Sequence, residues 1–168
     1  MSYYRIDRRD FAIGDIIRAN AAFINNINAA RTEIEDLLEM NRPAAKPNRN
    51  EIVKLFDSFS AAKKYWILDT DSKFYEVEIA EDDILHRGNY PLVESLALEM
   101  DGEIKNAIAM QYWNEEVADD AEDVVVENYV NQATVIRIVC NDEEVRKNTK
   151  RAYYKLETMK NVEILQDE

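Results

Sequence analysis

The apolar residues of this chain change period along its length, and this constrains the fold more than any single motif. "SYYRIDR" near the start and "KFYEVEIAEDDI" in the middle alternate, with Phe74 or Tyr75, Val77 and Ile79 facing inward, as half-buried strands do. "EIVKLF" is short enough for a strand, and the β-rich runs "DVVVENYV" and "ATVIRIVC" predict a strand pair. Between these segments the period lengthens. Ile16, Ile17, Phe23, Ile24, Ile27, Ile34, Leu37 and Leu38 recur at spacings near three and four after Gly14 and Asp15. That pattern predicts an amphipathic helix, broken around Asn25, Asn26 and Asn28. Pro43 and Pro47 close it, because proline cannot continue a helix. In "DSFSAAKKYW" Ser58 or Ser60 is placed to cap a short helix. Asn89 and Pro91 open a further helical run with Leu92, Leu96, Met100, Ile104 and Ile108 on one face, either as one helix or as two meeting at Gly102. "DEEVRKNTKRAYYKLETMK" predicts a final helix from about residue 142. The order is strand, helix, strand, short helix, strand, helix, strand pair, helix, without repeats. It predicts one α+β domain over residues 1–168.

Composition narrows the function classes. With 168 residues, 46% of them hydrophobic, and only 3 Gly and 3 Pro, the chain can bury one good core. No apolar run approaches the roughly 20 residues that span a bilayer, and "MSYYRIDRRDF" has no apolar signal core, so a cytosolic protein is expected, in a bacterium or a host cell. The one cysteine, Cys140, lies in an apolar run and reads as a small buried hydrophobe rather than a disulfide or metal ligand. The net charge of -13 is uneven: residues 1–50 carry 8 basic and 7 acidic groups, leaving 13 and 27 for the rest. Such a chain repels a phosphate backbone, which excludes non-specific nucleic-acid binding. "EEVADDAED" at Glu115–Asp123 reads as a solvated loop, and the basic run Arg146, Lys147, Lys150 and Arg151, at helical spacing, reads as a solvated helix face, the alternative being a local basic patch that binds nucleic acid.

Familiar catalytic constellations are absent. With Gly14, Gly88 and Gly102 as the only glycines there is no phosphate loop, no cluster has metal-ligand spacing, and the single histidine, His86, reads as a turn residue rather than a base. One carboxylate stands out. Glu127 interrupts the apolar run "VVVENYV", as an exposed turn residue or as a group held rigidly for chemistry.

The early "YYRID", the mid-chain "EIVKLFDSFSAAKKYW" followed by "FYEVEI", and the late "VENYVNQATVIRIV" resemble the three motif regions of the ADP-ribosyltransferase fold. Over residues 3 to 140 the chain also resembles a family of bacterial and phage proteins. These share the opening Tyr-Arg pair (Tyr4 and Arg5), the strand-to-helix serine segment, the helix end with Ala109, Tyr112 and Trp113, and a Glu before the last strand. The resemblance implies a split sheet with flanking helices, NAD as substrate and a macromolecular acceptor, a protein. It also implies roles. Glu127 would stabilise the ribosyl cation formed when the nicotinamide bond breaks. Ser58, or Ser60 if the motif slips by two, would support that carboxylate. Tyr4 and Arg5 would hold the NAD ribose or phosphates, and Phe56 would pack on the nicotinamide, with Arg49 and Tyr65 as neighbours. Val125 stands where members that modify arginine or small GTPases carry Gln or Glu, so that subclass is disfavoured. The competing reading is a non-enzymatic acidic protein, possible on a degenerate transferase fold, that blocks a basic partner surface by charge complementarity.

Overall fold

The computed structural model describes residues 1–20, 29–118, 121 and 124–166. Seven strands form one antiparallel sheet: β1 (Tyr3–Asp7), β2 (Ile16–Arg18), β3 (Val53–Phe56), β4 (Lys73–Glu78), β5 (His86–Asn89), β6 (Val126–Val130) and β7 (Gln132–Cys140). Their order across the sheet is β2-β7-β4-β1-β3-β6-β5. Five α-helices accompany them among the described residues: α1 (Ala29–Met40), α2 (Phe59–Leu68), α3 (Tyr90–Leu98), α4 (Gly102–Asn114) and α5 (Glu143–Gln166). The α+β class and the final helix agree with the sequence expectation.

Local signals explain several boundaries. The Ser58 side chain accepts the Ala61 amide and starts α2, as its position before an alanine and aromatic run predicts. Pro91 occupies the first turn of α3, where its missing N–H costs nothing. The long helical run is two helices: Asp101 accepts the Glu103 and Ile104 amides and starts α4, which leaves Met100 exposed in the break.

Three expectations are corrected. Ile16 and Ile17 lie in β2, paired with β7, rather than in a helix. Ile34, Leu37 and Leu38 are helical in α1, while Phe23, Ile24, Ile27, Asn25, Asn26 and Asn28 fall outside the described residues. His86 sits in a buried strand rather than a turn. "HRGN" carries no alternation, and its strand state follows from pairing with β6. Finally, β6 and β7 do not pair with each other. Only Asn131 separates them, yet β6 lies between β3 and β5, and β7 between β4 and β2.

That crossing shapes the molecule. A buried cluster joins Val53, Leu55 and Val130 from the β3-β6-β5 half to Tyr3, Ile17, Tyr75, Val77, Ala133 and Val135 from the β2-β7-β4-β1 half, so the two halves enclose one core. The opposite surfaces carry the helices: α1, α3 and α4 pack with Tyr129 on one half, and α2 packs with Tyr4, Ile6 and Phe74 on the other. The halves meet at β1 and β3, where a single pair, Tyr4 opposite Phe56, joins them, whereas β1 pairs with β4 from Tyr3 to Asp7. Beyond Tyr4 the Arg5 guanidinium spans the joint by donating to the Lys54 carbonyl at 3.1 Å, in place of a ladder bond.

Candidate functional site

At that joint a cavity of about 440 Å³ opens, lined from β1 by Arg5 and Asp7, from α1 by Arg31, from the turn before β3 by Arg49 and Asn50, and from β6 by Glu127. Lys54, Phe56, Tyr65 and Tyr90 also line it, and so do Arg8 and Asp69. The size falls in the range of small-molecule sites. The β3–β6 register sets Lys54 opposite Tyr129 and Phe56 opposite Glu127, so these four side chains share the helix-bearing face.

Glu127 is a buried carboxylate, and its surroundings keep it anionic. Arg49 Nη1 donates to its Oε2 at 2.7 Å and the Tyr112 hydroxyl donates to the same oxygen at 2.8 Å. Among the described residues no hydrogen bond reaches Oε1. Burial alone would raise the carboxyl pKa, but the Arg49 charge, followed by Lys54, outweighs it and holds the group below the usual carboxylate range.

Arg49 organises this cluster. An Asn48 turn, in which Asn48 Oδ1 accepts the Asn50 amide at 2.8 Å, aims the guanidinium inward. It donates to Glu35 of α1 through Nε at 2.8 Å, and its Nη1 contacts the hydroxyls of Tyr112 and Tyr129. Glu35 receives a second cation, Arg31, at 2.8 Å. The two tyrosine hydroxyls also contact each other, and Gly88 makes room for them: a Cβ there would collide with the Tyr112 phenol. Four segments therefore fix one carboxylate.

The remaining candidates divide between cleft and scaffold. Arg5, Arg49, Phe56, Tyr65 and Glu127 are brought together in the cavity wall, with Phe56 against Tyr65 and Tyr90 at ring separations of 5.5 and 5.9 Å. Arg5 is steered there by Asp7, which accepts its Nε at 3.0 Å. Tyr4 is not in this wall. It points to the opposite side of β1 from Arg5 and packs edge-on to Phe59 and Phe74. Nor do the serines line it: Ser58 caps α2 and its hydroxyl lies 3.2 Å from that of Ser60, so the hydroxyls beside Glu127 belong to tyrosine. Cys140 is only partly buried, at the end of β7. In the acidic run, Glu116 pairs with Lys46 at 3.2 Å and Val117 is buried, while Asp119, Asp120, Glu122 and Asp123 fall outside the described residues.

Lys54, Asn50, Glu35 and Tyr90 were not anticipated from sequence. Alternation in "VKLF" does put Lys54 opposite Val53 and Leu55, but nothing local shows that it faces a cavity. Burial, then the Arg49 charge, push its ammonium pKa down to about 7, against the pull of Glu35 and Glu127. The Asn50 side-chain oxygen is buried without a hydrogen-bond partner among the described residues. Among those residues no group of His, Cys, Asp or Glu could hold a metal ion, and no helix is long and apolar enough to cross a membrane. In comparisons with known proteins, the chain matches no family model and no curated protein.

Proposed function

We propose that this chain transfers ADP-ribose from NAD to a protein acceptor. The observation that carries the reading is the convergence of Arg5 and Glu127, from opposite ends of the chain, on one cleft with Phe56, Tyr65 and Tyr90. The single-pair joint between β1 and β3 supports the split form of the fold that the reading requires.

The chemistry suits the groups. Heterolysis of the nicotinamide–ribose bond sends the electron pair out with nicotinamide and leaves positive charge on the anomeric carbon and ring oxygen. An anion held in place beforehand stabilises that charge without reorganising, and Glu127 is so held by Arg49 and Tyr112. Arginine suits the pyrophosphate through its planar array of donors, and the aromatic wall suits a flat ring. The acceptor nucleophile then adds to the anomeric carbon and loses its proton to water. A net charge of -13 favours a basic acceptor.

The test is nicotinamide release from NAD, with intact mass of basic candidate acceptors showing the addition of one ADP-ribose. Glu127→Gln keeps the side chain's size and removes its charge, so it should lower turnover about a hundredfold or more. A folded wild-type protein that neither binds NAD nor releases nicotinamide overturns the proposal.

A further inference from the structure

We infer that α5 of one copy docks into the groove between α1 and α4 of a second copy, a helix-in-groove contact that joins two different surfaces of the same chain. Beyond its first turn α5 is a basic, amphipathic helix on an acidic molecule: residues 146–160 carry six cations against one anion, Glu157, while the chain as a whole stands at -13. Arg146, which donates to the Ile67 carbonyl at 2.7 Å, and Tyr153 fix one side of the helix to the α2 layer. A different side carries Val145, Ala152, Leu156 and Met159, at steps of seven, four and three, so they form one exposed apolar stripe. Arg151 and Lys155 border this stripe away from α2. Neither has an ion pair among the described residues, and Arg151 donates to the Asn148 side chain at 2.9 Å.

The groove offers the reverse chemistry. α1 contributes one face at helical spacing, with Ala29, Leu37 and Met40 apolar and Glu33 and Asp36 acidic, and α4 closes the other side from Gly102 to Asn106. Met40 is exposed, as are Leu98 and Met100 in the elbow that leads to α4. A Cβ added at Gly102 would meet nothing within 4 Å, so that wall is open. Lys105 pairs with Glu33 at 3.4 Å, but Asp36 and Glu103 have no ion pair among the described residues. The stripe from Val145 to Met159 is about 21 Å long and α1 about 18 Å. Apolar stripe therefore meets apolar groove, and the unmatched cations beside the one meet the unmatched carboxylates beside the other. The occupant is a second copy: α5 is held on the α2 side of the sheet's β1–β4 half, whereas α1 and α4 pack with Tyr129 on the other half, so a chain's own helix is held away from its own groove. Nucleic acid and anionic lipid suit the cations of α5 but are repelled by the acidic body. The contact uses neither the β1/β3 cleft nor NAD.

The experiment is sedimentation velocity of the full chain over a concentration series, in low and high salt. The mass should rise above that of one chain as concentration increases, and high salt should lower it, because exposed charges are screened. Lys155→Glu with Leu156→Glu disables the helix, and Asp36→Lys with Met40→Lys disables the groove. All four positions are exposed, so both variants should keep the wild-type circular dichroism; should either lose it, Lys155→Gln or Asp36→Asn serves in its place. Each double variant should weaken self-association at least about tenfold. Mixed together, the two should pair again, since the intact helix of one fits the intact groove of the other, a restoration that pairing of α5 with α5 does not give. A wild-type chain that stays a monomer throughout, whether or not it binds a DNA duplex or vesicles of anionic lipid, overturns the inference. So do association that is indifferent to salt, variants that associate like the wild type, and a mixture that stays monomeric.

Discussion

Replacing Arg49 by Met tests whether the cluster around Glu127 is held by charge. Met keeps much of the apolar stem while removing the guanidinium that binds Glu35 at 2.8 Å and Glu127 at 2.7 Å. Both carboxylates are buried, so the variant is left with uncompensated buried charge rather than a lost surface contact. Breaking a buried pair in this way costs about 3–5 kcal/mol. The tyrosines add little, since Tyr112 and Tyr129 keep each other and Tyr112 keeps Glu127. Against a typical total of about 5–15 kcal/mol the variant remains folded but strongly weakened. Urea unfolding followed by circular dichroism measures the difference. The pH dependence sharpens the test. In the wild type, burial raises the carboxyl pKa of Glu35 and Glu127, but Arg49 and the cations behind it outweigh this and depress both. Their contribution is therefore present above the unfolded carboxylate range near ~4.3 and is lost as pH falls through the depressed folded values. Without Arg49 burial dominates, and the two groups take up protons nearer neutrality. The gap between Arg49→Met and wild type should be largest at pH 7 and shrink toward pH 4. A difference below about 1 kcal/mol at pH 7, the scale of an exposed pair, or one that grows on acidification, refutes the argument.

Three other changes separate scaffold from cleft. Gly88→Ala forces the Tyr112 phenol away from Glu127 and should cost about 1–3 kcal/mol in urea unfolding, together with a loss of nicotinamide release; an unaffected variant would show that the phenol has room to move. Ser58→Ala removes a helix cap, so it should lower stability by about 1 kcal/mol while NAD consumption stays unchanged; a large drop in turnover at wild-type stability would return Ser58 to the site. His86 is buried against Tyr112, Trp113 and Tyr129, and burial, then the Lys46 charge, push its pKa from 6.5 down to about 4. Its folded pKa being depressed, stability is intact above pH 6.5 and falls by up to about 3 kcal/mol as pH drops toward 4; His86→Phe should flatten that slope, and an unchanged slope assigns it to other groups.

Where structure depends on neighbours in sequence, the sequence alone determined it. The alternation of Lys73–Glu78, the Ser58 cap, Pro91 in the first turn of α3 and the helix after residue 142 are all short-range effects, and all appear where the residues put them. The position of Glu127 on a strand, in an apolar run, was legible for the same reason. What depends on distant partners was decided by the tertiary structure. "HRGN" and "IIR" become strands because β6 and β7 offer them ladder bonds, and nothing within four or three residues signals that. Asn131 sends β6 and β7 to different halves of the sheet, which only the enclosed core of both halves can settle. Ser58 had the right chemistry to support Glu127, but its hydroxyl is used by its own helix, while Tyr112 and Arg49 arrive from elsewhere in the chain. The low pKa of Lys54 lies furthest from sequence, because burial and the charges of Arg49, Glu35 and Glu127 act on it through space, and their distances exist only once the chain has folded.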